Sequence, residues 1–164
     1  MPQQNKSPEE NKQIVHRFRE ECWNQGRLDK LSEFLADQVR FHDPVFPNMN
    51  PGIQAIKSYI ETVRRAFPDL KITTDDTIAE RNEVVVHWTA RGNHKGPFLG
   101  MQPTNRKVTI DGTYIYRFEG LKIAEAHANW NLATLMAQLG VFEVPNEARG
   151  DVKQEEKQEA KLKV

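Results

Sequence analysis

Residues 83–130 read EVVVHWTARGNHKGPFLGMQPTNRKVTIDGTYIYRFEGLKIAEAHANW, and this stretch decides the fold class. Valine, isoleucine, threonine and aromatic residues are concentrated in three segments, 83–94, 106–118 and 121–130, which predicts three strands. A glycine-rich segment joins the first two, and the Glu119-Gly120 turn predicts a hairpin between the last two. The stretch therefore predicts consecutive antiparallel strands.

Outside this stretch, one more strand is predicted at residues 70–77, and helical patterns flank the strands on both sides. The sequence SPEE at residues 7–10 has the form of a capping box and begins a helix that ends near Gly26. Leucines at positions 28, 31 and 35 predict a short second helix, and residues 53–67 carry the apolar stripe of a third. A brief helix at residues 132–139 ends at Gly140. Helices followed by a run of strands predict an α+β fold, with an antiparallel sheet packed over helices.

The charge balance and the single cysteine restrict the class of protein. The 164 residues carry 23 basic and 23 acidic side chains, so the formal net charge is zero. Neutrality argues against a dedicated nucleic-acid-binding protein and against a polybasic membrane-surface protein. One cysteine cannot form an internal disulfide. No apolar run approaches the roughly 20 residues of a membrane span, and the first residues lack the apolar core of a secretory signal. These features predict a cytoplasmic protein without a nucleic-acid or membrane partner.

Charged residues are concentrated at the C-terminal end of the chain. Residues 146–164 include five acidic and five basic side chains and no aromatic residue. Such a segment buries too little apolar surface to offset the entropy lost on ordering. We expect a flexible N-terminus over residues 1–7, a single domain over residues 8–144 and a charged, disordered tail over residues 145–164. Partner binding by the tail is the alternative.

Four stretches occur in an order and spacing that resemble a known family. They are ECWNQGRLD at residues 21–29 with FHDP at 41–44; FPDL at 67–70; GNHKGPFLGMQPT at 92–104; and YRF at 116–118 with KIAE at 122–125 and QLG at 138–140. Together they resemble the SnoaL-like polyketide or ester cyclase family of the nuclear-transport-factor-2-like superfamily, over roughly residues 10–142. The third stretch is the most specific, because it is close to the family's G-T-H-x-G-x-x-x-G-x-x-P-T.

The resemblance implies a cone-shaped α+β barrel, in which a curved antiparallel sheet packs over N-terminal helices and encloses a deep apolar pocket. It also implies an intramolecular aldol closure without a metal or cofactor, with an Asp in the last strand as the acid/base group. The matching position here is Asn131, whose neutral amide can form hydrogen bonds but cannot accept the substrate proton. Family members commonly dimerise through the sheet, so the resemblance implies a homodimer as well.

Alternation along the last strand separates a polar face from an apolar one. The polar face consists of Glu125, His127, Asn129 and Asn131. If it lines the pocket, the imidazole of His127 is placed to replace the missing base, because an unperturbed pKa of about 6.5 suits proton transfer near neutrality. We therefore predict His127, Asn131 and Glu125 as catalytic residues, with a non-catalytic lining or a solvent-facing strand as the alternative.

The apolar face of the same strand consists of Ala124, Ala126, Ala128 and Trp130. Its small side chains are typical of a packed sheet surface. It is predicted either to form a dimer interface or to pack against its own chain.

Aromatic side chains are numerous enough to line a pocket for a flat, hydrophobic ligand. The candidates for contact with such a small apolar molecule are Trp23, Tyr59, Phe98, Tyr114 and Tyr116. The hydroxyl of either Tyr114 or Tyr116 is also a candidate donor to an enolate oxygen.

Two further histidines are candidates for substrate binding. His94 opens the glycine-rich segment and either contacts substrate or fixes the loop by bonding to the backbone. His42 precedes Asp43 and Pro44, and Asp43 either orients its ring or serves as ordinary turn chemistry. His16 and His87 are predicted to be inert.

Three functions remain open at this point. The first is a cofactor-free enzyme that performs aldol-type cyclisation or isomerisation of a small apolar carbonyl compound, such as a polyketide. The second is a protein of the same fold that binds a hydrophobic ligand without turnover. Epoxide hydrolysis is a weaker third, with Arg117 and Asp111 as loose candidates. No histidine and carboxylate set has the spacing of a metal site, so no metal is expected, and Cys22 is predicted to be core rather than a nucleophile.

Overall fold

In the computed structural model, residues 6–143 are described, and they form helices on one face of a sheet. The helices are α1 (Pro8–Phe18), α2 (Leu31–Phe34), α3 (Ile53–Ala66) and α4 (Leu132–Leu139). The strands are β1 (Leu35–His42), β2 (Lys71–Glu80), β3 (Glu83–Asn93), β4 (Lys107–Glu119) and β5 (Lys122–Trp130). The predicted tail and most of the predicted flexible N-terminus lie outside the described residues, so these boundaries stay predictions.

The N-terminal helix begins as its sequence predicts. The Ser7 hydroxyl accepts a hydrogen bond from the Glu10 backbone N–H at 3.3 Å, and the Ser7 N–H donates to the Glu10 carboxylate at 2.8 Å. Pro8 occupies the first helical position. The helix continues as a π-helical turn over Arg19–Asn24, a rare form that occurs preferentially at functional sites.

The strands form one curved, unclosed sheet in the order β1-β5-β4-β3-β2. The pairs β2–β3, β3–β4 and β4–β5 are antiparallel, so the four strands predicted from the sequence are confirmed. The predicted α+β cone fold, with a curved sheet over helices, is likewise confirmed. We call the helix-covered face of the sheet its inner face and the opposite face its outer face.

Strand β1 was not predicted, and it makes the sheet mixed rather than purely antiparallel. It pairs with β5 in parallel, and its first residue, Leu35, was expected in a helix. Its buried residues are Leu35, Val39 and Phe41, with the exposed pair Asp37 and Gln38 between them. The β1–β5 register shifts between Leu35 and Arg40, so the strand lacks the regular alternation that identifies a strand in a sequence.

Two clusters of buried apolar side chains form the core. The larger cluster lies between α1, α3 and the inner face of β3, β4 and β5, and includes Phe18, Trp88 and Tyr114. The smaller cluster joins the end of α3 and the glycine-rich loop to α4, through Phe67, Phe98 and Leu135 among others. The cavity described below is lined by residues of both clusters.

Candidate functional site

A cavity lined mostly by apolar side chains lies at the junction of the two core clusters. Its free space is about 80 Å³, which is well below the roughly 300–1,000 Å³ typical of ligand sites. As packed, it accommodates a small molecule, and a larger one requires side chains to move. The aromatic residues that line it are Trp23, Phe46, Tyr59, Phe67, Trp88, Phe98, Tyr114 and Trp130.

Three neighbouring strands supply one wall of this cavity through a row of residues in register. Trp88 of β3 pairs with Gly112 of β4, and Gly112 pairs with Trp130 of β5. A β-carbon at position 112 would lie 2.6 Å from Cζ2 of Trp88 and 2.8 Å from Cβ of Trp130. Glycine at this position therefore makes room for two indole rings on adjacent strands.

A buried carboxylate lies directly behind the cavity wall. Asp43 follows β1 and is 5% exposed. Its Oδ2 accepts hydrogen bonds from the Tyr59 hydroxyl and the Trp130 indole N–H, each at 3.0 Å. Its Oδ1 accepts from the backbone N–H groups of Val45 and Phe46, at 2.8 and 3.3 Å. All four acceptor positions of the carboxylate are thus used, and three of the four donor residues, Phe46, Tyr59 and Trp130, line the cavity.

The tyrosines of the cavity wall keep their protons. Burial raises the pKa of Tyr59 well above its usual range, and the neighbouring Tyr114 and the Asp43 charge raise it further. Burial likewise raises the pKa of Tyr114, helped by Tyr116 and Asp43. Both side chains therefore remain neutral hydroxyls that can donate a hydrogen bond, and neither is a ready phenolate base.

Two indole N–H groups of the wall have no acceptor among the described residues. They belong to Trp23 and Trp88, which are 3% and 5% exposed. A buried donor without a partner costs free energy, because it has lost its hydrogen bonds to water. Both rings are among the residues that line the cavity.

An arginine is buried beside the tyrosines, in the π-helical turn. Arg19 is 3% exposed, and its Nη1 donates to the Tyr116 hydroxyl at 3.2 Å. Its guanidinium carbon lies 5.7 Å from the centroid of the Tyr114 ring, a cation–π contact. Burial raises the pKa of Tyr116, and the Arg19 charge opposes that rise. Tyr116 is thus bonded to Arg19 within the core and is not among the residues that line the cavity.

His94 lies behind the wall rather than in it. It is fully buried, its Nδ1 accepts from the Thr104 backbone N–H at 3.2 Å, and its ring centroid is 5.4 Å from that of Phe67. The predicted loop-fixing role matches these contacts. Its Nε2 has no acceptor among the described residues.

The polar face of β5 points away from the cavity, contrary to its expected placement as pocket lining. Glu125 and His127 lie on the outer face, where 46% of the His127 side chain is exposed. His42 of β1 is also on this face, equally exposed, and stacks on His127 with ring centroids 4.1 Å apart. Alternation correctly predicted that Glu125 and His127 share a face, but this face is the outer one. Glu125, His127 and His42 are therefore not among the residues that line the cavity.

Asn131 likewise does not reach the cavity. Strand β5 ends at Trp130, and Asn131 caps α4, its side-chain oxygen accepting from the Thr134 N–H at 3.1 Å. The side chain is exposed and Asn131 is not among the residues that line the cavity, so its catalytic role stays a prediction.

The apolar face of β5 packs inward against its own chain. Ala126 is fully buried and Ala128 is 8% exposed, both within the larger core cluster. Trp130 lines the cavity, and Ala124 lies at the register shift between β4 and β5. The predicted packing against its own chain thus holds for Ala126 and Ala128, and dimerisation stays a prediction.

Comparison with known proteins agrees with this architecture. The family model for SnoaL-like polyketide cyclase matches residues 13–139. The chain belongs to the SnoaL-like polyketide cyclase family. A curated relative, the nogalonic acid methyl ester cyclase of Streptomyces nogalater, is 25% identical over 121 residues, which cover 73% of this chain and 90% of the relative.

Solved structures show the same fold. TsrD from Streptomyces laurentii matches with a TM-score of 0.76 and 24% identity, over 84% of this chain and 100% of that one. A SnoaL-like polyketide cyclase from Agrobacterium tumefaciens matches with a TM-score of 0.67 and 19% identity, over 79% and 98% of the two chains. At these identities the likeness concerns the fold alone.

The remaining candidates of this SnoaL-like chain lie outside the cavity. Arg117 pairs with Glu83 at 2.9 Å on the outer face, and Asp111 is exposed 3.6 Å from His87, so the epoxide-hydrolase pair does not converge on the cavity. Cys22 is fully buried, and burial raises the pKa of its thiol to about 12, in keeping with a core residue. No described helix combines the length and apolar character needed to span a membrane.

The sequence pattern does not identify Asp43 as an acid beside the cavity, and it suggests Asp43 only as a residue that orients the ring of His42. Tyr59 and Trp130, which fix its carboxylate, are 16 and 87 residues away along the chain, and no local pattern connects them. Trp23, Tyr59, Phe98 and Tyr114 do line the cavity, and their contact with a ligand stays a prediction.

Proposed function

We propose that this SnoaL-like protein performs acid/base chemistry on a small, largely apolar carbonyl compound, without a cofactor. Family membership supports a cyclase- or isomerase-type role, and the aromatic cavity supports the apolar character of the substrate. The observation that carries the proposal is the 3.0 Å hydrogen bond from Tyr59 to Asp43. It joins a hydroxyl of the cavity wall to a buried carboxylate, whereas the other buried carboxylate of the described residues, Glu125, is on the outer face.

In the proposed first step, the Tyr59 oxygen accepts the α-proton of the bound carbonyl compound while its own proton moves to Oδ2 of Asp43. The electron pair of the broken C–H bond becomes an enolate, and Asp43 becomes a neutral carboxylic acid. Because the raised pKa of Tyr59 keeps its proton in place beforehand, the two transfers occur together. The negative charge thus moves from the carboxylate to the substrate.

The enolate then reacts within the same molecule. Attack of its carbon on a second carbonyl forms a C–C bond and an alkoxide, which recovers the proton from Asp43 through Tyr59. Protonation at a different carbon gives isomerisation instead. Both outcomes return the Tyr59–Asp43 pair to its starting state, so no co-reactant is required.

The unpartnered N–H groups of Trp23 and Trp88 are suited to stabilise the enolate oxygen. Donors held in a dry cavity stabilise developing negative charge more strongly than water-exposed donors, as in oxyanion holes. Their presence favours a substrate that carries an acceptor oxygen on an otherwise apolar frame.

Deuterium exchange at the α-carbon tests this chemistry without knowledge of the natural substrate. Small aryl ketones and aldehydes are incubated with the protein in D₂O, and loss of the α-proton signal is followed by NMR. We expect exchange with the native chain and its loss in Tyr59→Phe and Asp43→Asn. Tyr116→Phe is the matched control, because it removes a buried tyrosine hydroxyl that does not line the cavity. Exchange that survives in Tyr59→Phe contradicts the assigned proton path.

Ligand binding without turnover is the second candidate. Two observations favour it. Trp130 is the single β5 residue that lines the cavity, so β5 contributes no acid or base there. All four acceptor positions of Asp43 are already used by donors of the protein itself. Saturable binding of ketones to the native chain with no α-proton exchange for any of them would select this candidate. In either case, assembly into a homodimer remains a proposal, to be tested by sedimentation.

A further inference from the structure

The outer face of the sheet brings two histidines and a glutamate together at the β1–β5 pair. His42 and His127 are directly opposite each other in the parallel pairing, and Glu125 is opposite Arg40. The Nε2 atoms of His42 and His127 lie 2.9 and 3.5 Å from the same oxygen, Oε1 of Glu125. One ligand atom from each of the three residues thus lies within 4.8 Å of the others.

These separations can be compared with those of a metal centre. Metal–ligand bonds of about 2.0–2.1 Å at tetrahedral angles place the ligand atoms roughly 3.3 Å apart. The two nitrogen–oxygen distances, 2.9 and 3.5 Å, lie on either side of that value. The imidazole rings are stacked almost parallel, at 10°, so the rings must tilt towards each other to share an ion. With 46% of each side chain exposed, neither ring is held by packing against such a tilt.

The surrounding charges determine which carboxylate oxygen of Glu125 is available to bind a cation. Its Oε2 accepts from Arg117 at 3.2 Å, and Arg117 also pairs with Glu83, so Oε2 is oriented by a neighbouring ion-pair row. Oε1 is left facing the two imidazoles. Arg40 approaches Oε1 to 3.5 Å and would repel a cation there, but 57% of its side chain is exposed and can swing into solvent. The charges of the two glutamates and two arginines cancel, so the local field does not exclude a cation.

We propose that His42, His127 and Glu125 bind one divalent first-row transition-metal ion on the outer face, with Zn²⁺ the best match in chemistry. Two imidazoles and one carboxylate are a ligand set that zinc uses in proteins, with a fourth position left to water. The His42 Nε2 that now contacts Glu125 would bind the ion, and its proton would leave or shift to Nδ1. The arginine contact to Oε2 would then act as the supporting hydrogen bond that ligating carboxylates usually have.

Such an ion would join β1 to β5 across the sheet's parallel pair, at an edge of the sheet. It would lie on the face opposite the cavity, so it is independent of the proposed acid/base chemistry. Its direct effect would be to stabilise the folded chain in proportion to metal concentration, because the three ligands come together only after folding.

Isothermal titration of the tag-free, metal-stripped chain with ZnCl₂ tests the site, together with thermal melts with and without ZnCl₂ and absorption spectra with Co²⁺. We expect one Zn²⁺ per chain, a rise in Tm, and Co²⁺ absorption bands of a four-coordinate site. His42→Gln and His127→Gln should lose the titration signal and the Tm rise. His87→Gln is the matched control, because His87 is also an outer-face histidine near carboxylates, 3.8 Å from Asp75.

Arg40→Gln supplies a second readout that does not remove a ligand. It deletes the cation nearest Oε1, so Zn²⁺ affinity should rise in this variant, while circular dichroism reports an unchanged fold. Equal Zn²⁺ uptake by the native chain and by His42→Gln would overturn the proposal. So would an affinity in Arg40→Gln that is no higher than in the native chain.

Discussion

Gly112 lies directly opposite Trp88 in the β3–β4 pairing, where a β-carbon at position 112 would come within 2.6 Å of the indole ring. The same β-carbon would lie 2.6 Å from the Asn129 carbonyl oxygen on the other neighbouring strand. The cavity wall thus depends on a missing side chain as much as on the aromatic rings that are present. Trp88 and Trp130 can both face inward because nothing occupies the space between them.

Gly112→Ala is expected to destabilise the fold by about 1–3 kcal/mol, as overpacking of a filled core does. The Trp88 ring must move, and the backbone oxygen of Asn129 cannot move as freely. The free energy of unfolding, from urea denaturation, measures the effect. Adding Trp88→Phe removes the indole atoms nearest the new methyl group and should recover part of the loss. If the double variant shows only the sum of the two separate losses, steric conflict with Trp88 is not the cause.

His127→Ala and Asn131→Asp are expected to leave ligand affinity and α-proton exchange unchanged. His127 lies on the outer face, and Asn131 caps α4 at the surface, so neither can contact a ligand in the cavity. Asp caps a helix as well as Asn does, so Asn131→Asp should keep its stability, whereas Asn131→Ala should lose about 1 kcal/mol. Fluorescence titration, NMR exchange and urea denaturation measure the three quantities. Exchange activity gained by Asn131→Asp would restore this position to the active site.

The sequence predicts where most helices and strands lie, but it says less about which face of each strand points into the core. Four strands could be predicted because β-branched and aromatic residues alternate in long runs, and the capping box at Ser7 located the start of α1. Strand β1 could not be predicted in this way, because its exposed residues Asp37 and Gln38 interrupt the alternation of buried and exposed positions. It becomes a strand through its pairing with β5, a partner distant in the sequence.

The candidate site shows the same limit. Alternation predicts which residues of β5 share a face, but it does not say which face the helices cover. The small, apolar Ala126 and Ala128 mark the inner face, whereas the polar chemistry of Glu125 and His127 favoured the opposite assignment. Asp43 is buried by contacts from α3 and β5, so its position beside the cavity follows from tertiary packing alone.

Asp69 predicts a specific acid dependence of stability. It accepts a hydrogen bond from the Asn93 backbone N–H at 2.8 Å and another from the Asn93 side chain, and these lower the pKa of its carboxyl in the folded chain. The resulting stability is fully present above the unfolded pKa of about 3.9 and is lost as the pH falls through the lower, folded value. Asp69→Asn should therefore cost about 0.5–1 kcal/mol at pH 7, a low figure because the site is exposed.

The difference in the free energy of unfolding between Asp69→Asn and the native chain should shrink as the pH is lowered below the pKa of the carboxyl in the unfolded chain. Urea denaturation at a series of pH values measures it. Asp29→Asn is the comparison, since Asp29 accepts no hydrogen bond from another side chain or backbone among those found in residues 6–143. A cost for Asp69→Asn that stays constant down to strongly acidic pH would show that the charge of Asp69 is not what stabilises this turn.

All three tryptophans of the chain line the cavity, so intrinsic fluorescence reports directly on its occupancy. An apolar ligand should change the emission of the native chain, and filling the cavity should abolish that change. Ala90→Leu adds three carbons to a wall residue that is 6% exposed, in a space of only about 80 Å³. We expect ligand affinity to fall by at least about tenfold, which corresponds to roughly 1.4 kcal/mol. Ala133→Leu, on the exposed side of α4, is the matched control and should bind normally. If a ligand binds Ala90→Leu as tightly as it binds the native chain, then its site is elsewhere on the protein and not in the cavity.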